Sequence, residues 1–187
     1  MPKPTLIIIT GLPGAGKTTL AKKLAPVLKL PLLTKDSIKE IIFDTLGWSD
    51  REWSKKVGLA SYTIMNSLIE TELAAGRSLL LESNFKPEFD NPRFQAWQQK
   101  YKFISLQIFC TAEGEVLFER FKRRVSTGER HPGHVDGANH DEFKDILLHG
   151  AVEPLSLKGN VITLNTTDFA TVNMTDILKQ VRKNLQN

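Results

Sequence analysis

Thr5-Leu6-Ile7-Ile8-Ile9-Thr10-Gly11-Leu12-Pro13-Gly14-Ala15-Gly16-Lys17-Thr18-Thr19 joins an apolar, β-branched run to the pattern G-x-x-x-x-G-K-[ST]. The run reads as a buried strand, while Leu20, Leu24, Val27 and Leu28 recur at helical spacing over Lys17 to Leu28. The octet Gly11 to Thr18 is therefore a loop between strand and helix, the setting in which the pattern has a physical meaning. Its glycines let the backbone curl until successive N–H groups point at phosphate oxygens, and the following helix adds the positive end of its dipole. Lys17 is placed to reach the β- and γ-phosphates, and the Thr18 hydroxyl to ligate Mg²⁺. Gly11, Leu12, Pro13, Gly14, Ala15, Gly16, Lys17, Thr18 and Thr19 are the residues expected to hold ATP.

Outward from that loop, strand-like runs recur at Leu6 to Thr10, Leu30 to Thr34, Ser78 to Ser83, Phe103 to Cys110 and Val161 to Asn165. Between them lie helical patterns at Lys17 to Leu28, Asp36 to Leu46, Asp50 to Ala75, Asn91 to Tyr101, Ala112 to Val125, Asp141 to Leu148 and Asn173 to Asn184. Alternating strands and helices predict an α/β three-layer sandwich around a five-stranded parallel sheet. Asp36 and Asp50 stand where N-caps belong, and Gly76 marks the end of the longest helix. A length of 187 residues with 41% apolar content suits a single domain spanning 1–187. No run approaches the roughly 18 apolar residues of a membrane span, and no secretory leader is evident, which places the chain in the cytoplasm away from membranes. The lone cysteine, Cys110, ends an apolar run and reads as a small buried hydrophobe.

Net charge is only +4, and the basic residues concentrate between Arg120 and Arg130. That suits a local anion site better than a nucleic-acid surface. Arg120 and Arg124 share a helix face, with Arg123 beside them. Guanidinium forks at Arg120, Arg124 and Arg130 are expected to stabilise the charge that spreads over a phosphoryl group in flight, and Arg123 to meet substrate. The Gly-, Pro- and His-rich loop Ser126 to His140 reads as a short mobile lid. His131, His134 and His140, with Asp136 and Asp141, match no zinc spacing, so a lid histidine on a substrate phosphate is the preferred reading to a metal.

Two acids complete the set. Asp36 follows the second strand, at the edge where ligands of open parallel sheets bind, and either caps its helix or takes the proton of an acceptor hydroxyl. Lys39, one turn on, is a candidate for an anionic substrate. Glu82 ends the third strand as the acid of a Walker B strand does, a ligand for Mg²⁺ alongside Thr18, and Asn84 follows it into the same crevice.

With these residues assembled, the chain resembles the small P-loop kinases that include polynucleotide 5′-kinase domains, chloramphenicol phosphotransferase, gluconate-type kinases and zeta-toxin kinases. The resemblance runs from Leu6 to about Val181. It implies that Asp36 is the base that activates the acceptor hydroxyl, that Arg120 and Arg123 or Arg124 serve adenine and the transferred phosphate, and that Asn165-Thr166-Thr167 lies beside adenine. Glu82-Ser83-Asn84 varies on the Asp-Thr-Asn of polynucleotide kinases, and Lys39 replaces an arginine common at that place. The expected function is an ATP-dependent phosphotransferase acting on a small-molecule hydroxyl. Two alternatives are a polynucleotide 5′-hydroxyl kinase and a nucleotide-dependent switch without an acceptor. The acceptor, a preference for ATP over GTP, monomer or homodimer, and Asp36 as base or as water-mediated Mg²⁺ ligand stay open at this level.

Overall fold

The computed structural model describes residues 3–136, 140–149 and 152–185. Its five strands, β1 Thr5–Gly11, β2 Leu32–Thr34, β3 Leu79–Glu82, β4 Ile104–Thr111 and β5 Gly159–Asn165, form one sheet in the order β2-β3-β1-β4-β5, and every pair is parallel. Helices α1 Lys17–Leu28, α2 Lys35–Leu46, α3 Arg51–Ala74, α4 Pro87–Tyr101, α5 Gly114–Ser126, α6 His140–His149 and α7 Met174–Leu185 alternate with them. The predicted α/β architecture with a five-stranded parallel sheet is the one found.

Strand alternation divides the core into two layers. Ile7, Ile9, Leu80, Leu106, Ile108 and Cys110 face α1, α5, α6 and α7, where Leu20, Leu24, Leu117, Phe121, Leu147, Ile177 and Val181 pack. Leu6, Ile8, Leu79 and Leu81 face Met65, Ile69 and Leu73 of α3 and Phe94 and Trp97 of α4. Both faces of β1 are covered, which is why it reads as an unbroken apolar run instead of an alternating one. Cys110 is buried as predicted, and burial pushes its thiol up to about 12.

Two element boundaries differ from the sequence reading for identifiable reasons. The cap of α2 is Thr34, whose hydroxyl accepts from the Ser37 N–H at 3.1 Å, so Asp36 lies inside the first turn, where a carboxylate favours the dipole. Asp50 does cap α3, accepting from the Trp53 N–H at 2.8 Å. Helix α4 starts four residues earlier than its pattern suggested, because Pro87 suits the first turn and the Asp90 carboxylate accepts from the Lys86 N–H at 2.8 Å. Gly76 ends α3 as predicted, with φ +69 and its N–H on the Leu73 carbonyl while Arg77 N–H meets the Glu72 carbonyl.

The segment leading into β5 is fastened by side chains of α4, where Asn91 and Gln95 bond to Ser156 and Gln98 bonds to Lys158, and by one of β4. Gln107, buried in β4, donates to the Leu155 carbonyl and accepts from the Leu155 N–H, both at 2.8 Å. Gln107→Leu leaves both backbone groups buried and unpaired, at about 1–3 kcal/mol each. Calorimetry of that variant should show Tm falling by roughly 2–4 °C per kcal/mol lost, with the sheet otherwise retained.

Candidate active site

The carboxyl edge of the sheet gathers the functional residues. Gly14 and Gly16 take positive φ, +84 and +73, and a Cβ on either would come within 2.8 Å of the Leu117 carbonyl or the Phe169 ring. Gly16 caps α1 without a side chain, so the first-turn N–H groups of Lys17, Thr18 and Thr19 face outward, a ready anion site. Lys17 is buried and donates to the Leu12 carbonyl at 2.9 Å; burial lowers its pKa, against the pull of Glu82 and Asp36. Thr18 and Thr19 are exposed.

Thr18 Oγ1 donates to Glu82 Oε2 at 3.1 Å. Burial raises the pKa of Glu82, and the Lys17 charge and the Thr18 bond oppose that rise. A hydroxyl and a carboxylate this close, beside a phosphate loop, match the hard oxygen donors Mg²⁺ requires. Ser83 is buried with its N–H on the Ile9 carbonyl at 3.3 Å, whereas Asn84 just beyond it is exposed.

The three arginines of α5 go to different places. Arg120 donates to the Gly14 carbonyl at 3.3 Å, the Thr166 carbonyl at 2.8 Å and the Thr167 carbonyl at 3.0 Å, clamping the phosphate loop to the turn after β5. Thr166, fully buried, supports the same junction by donating to the Ala15 carbonyl at 3.1 Å. Arg124 is half-buried and has no hydrogen bond or ion pair among the described residues; burial, then the charge of Arg130, lowers its pKa. Arg123 is exposed.

Arg130 bridges two acids, donating from Nη1 to Asp36 Oδ2 at 2.5 Å and from Nε to Asp136 Oδ2 at 2.8 Å. Burial works to raise the pKa of Asp36, but the charges of Arg130, Lys35 and His134 and the Arg130 hydrogen bond hold it well below the usual carboxylate range. The rest of the segment follows Arg130 down α2. Gly133 lies against the Phe43 ring, His131 stacks on that ring at 5.3 Å, and its Nε2 meets Asp44 Oδ1 at 3.1 Å. His134, buried, meets Glu40 Oε1 at 3.0 Å, and burial lowers its pKa. Asp36, Glu40, Phe43 and Asp44 stand at i, i+4, i+7 and i+8, one continuous face of the helix.

His131 and His134 of the expected lid therefore meet carboxylates of α2. Among the described residues no group of acids, histidines and cysteines could hold a metal in that loop. Residues 137–139 of the expected lid, and the side chains of His140 and Asp141, lie outside the described residues. Lys39 is buried, donates to Ser54 Oγ at 2.8 Å, and has its pKa lowered to about 8 by burial and by Lys35. Sequence reasoning missed Glu40, Phe43 and Asp44, and named Asp136 only beside the lid histidines, not as a partner of Arg130. The available signal was complementarity: a basic and histidine-bearing Arg130-His131-Pro132-Gly133-His134 opposite an acidic stripe of α2.

A solved structure from Chloroflexus aurantiacus, described provisionally as a kinase, is 41% identical, covers 98% of this chain and 100% of its own, and superposes with a TM-score of 0.89. A shikimate kinase of Rhodopirellula baltica is 28% identical over 192 residues, 97% of this chain and 90% of that protein. The Kti12 protein of Chaetomium thermophilum, solved with ADP-AlF3, shares the fold at 17% identity and a TM-score of 0.65, over 96% of this chain and 98% of its own. No helix among the described residues is long and apolar enough to cross a membrane. The model of a family described as AAA domain matches residues 6–147, from the first strand through α6, and the chain belongs to this family of P-loop kinases.

Proposed function

We propose that this protein transfers the γ-phosphate of ATP to a hydroxyl of a small-molecule acceptor, as a single domain in which Arg130 to Asp136 border the acceptor site. The observation that carries this reading is the position of Asp36: an ionised carboxylate at the carboxyl end of β2, within electrostatic reach of Lys17 and Glu82 and held by Arg130. A hydroxyl that attacks phosphorus needs such an acceptor for its proton.

Backbone N–H groups of the phosphate loop and Lys17 bind the phosphates. Thr18 and Glu82 would hold Mg²⁺, which supplies neutralisation of phosphate charge when bound. Arg124, the half-buried guanidinium with no bond among the described residues, turns its charge to the transferred group. Arg120 shapes the adenine end through Thr166 and Thr167. Asp36 orients the acceptor hydroxyl first and takes its proton late, since a loose transition state asks more of its geometry than of its basicity.

Purified protein with Mg²⁺ and ATP or GTP, offered hydroxy acids, sugars, nucleosides and a 5′-hydroxyl oligonucleotide, should release nucleoside diphosphate only with the true acceptor. Asp36→Asn should then lower kcat by about 10²–10⁴-fold while KM for the nucleotide holds. Equal activity of Asp36→Asn and wild type removes Asp36 from the chemistry.

The Arg130 bridge has a separate signature in pH. Because the folded pKa of Asp36 lies below its unfolded value, the pair stabilises the protein above the ordinary carboxylate value of about 4, and that stability is lost as pH falls below it. Thermal melts of wild type and Arg130→Met should therefore differ most near pH 7 and by progressively less as pH falls below about 4, converging only where the folded Asp36 itself becomes protonated.

A further inference from the structure

Helix α3 runs for 24 residues, and its inner face supplies Met65, Ile69 and Leu73 to the core. Its outer face carries Leu59, Ala60, Thr63, Ile64, Ser67 and Leu68, all exposed, with Thr71 following in the same stripe. None of these is charged, over roughly 18 Å of helix at about 1.5 Å per residue. Leu59 is exposed by 72%, and Ile64 and Leu68 by 43% each. A helix with one side in the core ordinarily turns charged and long polar side chains to water, so a second uncharged face asks for a partner.

The threonine hydroxyls of this face are already engaged. Thr63 Oγ1 donates to the Leu59 carbonyl at 3.1 Å, and Thr71 Oγ1 to the Ser67 carbonyl at 2.8 Å. Each threonine thus directs its one donor to its own helix, and the face is left with apolar contact to offer. Charge returns only at the two ends of the stripe, where Lys55 and Lys56 precede it and Glu70 and Glu72 flank its far end. Lys55 pairs with Glu52 at 2.9 Å, whereas Lys56 is exposed and has no hydrogen bond or ion pair among the described residues. Glu70 meets Lys100 at 3.0 Å and still keeps 42% of its side chain exposed.

We infer that this face pairs with the same face of a second copy of the chain, the two α3 helices lying antiparallel about a two-fold axis centred between Met65 and Asn66. That register sets Ala60 of one helix opposite Thr71 of the other and Ile64 opposite Ser67, a larger side chain against a smaller one each time. It also carries Lys56 over the last turns of the second copy's helix, where Glu70, Glu72 and the negative end of the dipole stand. A parallel arrangement would set lysine on lysine. A second copy suits the face better than a lipid surface does, because interfacial membrane helices present bulky apolar groups with a strongly basic margin, whereas alanine, serine and threonine let another helix come close. The pairing stands apart from the phosphotransfer reading and is measured without turnover.

One helix face is a small contact, so the dimer should form with a dissociation constant of about 1–100 μM, read by sedimentation equilibrium of the full chain. Ile64→Lys should weaken association by about tenfold or more, and Lys56→Glu should weaken it at low salt by a factor that shrinks as salt is added. Both side chains are exposed, so an unchanged Tm and circular dichroism spectrum separate lost pairing from lost folding. Under mild oxidation the double variant Ala60→Cys/Thr71→Cys should link into a covalent dimer while Ala60→Cys alone should not. A chain that stays monomeric up to about 500 μM, or a dimer that Ile64→Lys leaves unchanged, overturns the inference. Linking through Ala60→Cys alone would mark a parallel pair and overturn the two-fold, and a monomer that cosediments with phosphatidylserine vesicles would give the face to a lipid surface instead.

Discussion

Strand register is the constraint on which the site depends. β1 lies between β3 and β4, so Ile9 stands beside Glu82, Glu82 beside Thr34, and Gly11 beside Cys110. Because all pairs are parallel, the loops after β1, β2 and β3 open at one edge, and the phosphate loop, Asp36 and Glu82 arrive there together. A slip of one residue in β3 would invert its two faces, taking Leu79 and Leu81 out of the α3–α4 layer and turning Glu82 from Thr18. Core packing and site assembly are thus fixed by the same hydrogen-bond ladder.

Within the crevice, charge is arranged by pairing and not by net sign. A planar guanidinium can serve two carboxylates at once, and Arg130 does so between a helix and a loop that are distant in sequence. Lysine could not make that fork. Arg120, by contrast, puts its donors on backbone carbonyls and acts as a brace, and Arg124 one turn further is half-buried with no hydrogen bond or ion pair among the described residues. Three residues of one type on a single face of sequence therefore divide into brace, free charge and solvated surface, according to which groups the fold brings opposite each.

The fold was legible in the sequence because its signals are local. A doubly covered strand shows as an isoleucine run, the phosphate loop as an octet, and Asp50 and Gly76 as helix ends. What the sequence left hidden depends on contacts between distant segments. Arg130 and Asp36 are 94 residues apart, as are His134 and Glu40, and no periodicity announces their meeting. Asp36 read as either a cap or a base, since a strand-to-helix acid can be both; two residues earlier, the Thr34 hydroxyl takes the capping place and leaves the carboxylate free for Arg130. Lys39 read as a candidate ligand from spacing alone. Its burial became visible only when α3 was laid against α2.

Helix α2 carries Asp36 at its first turn and, along the same face, the groups that dock segment 131–134. A rigid helix that serves two sites makes them a single thermodynamic system. Whatever draws Arg130 away from Asp36 also loosens the neighbouring histidines, and whatever loosens the histidines alters the field at Asp36. By reciprocity the effect has the same magnitude in both directions. In the proposed phosphotransfer, selectivity for an acceptor is then a property of the docked loop as much as of the residues that would touch the acceptor, and the outer turns of α2 take part in it without lining the site.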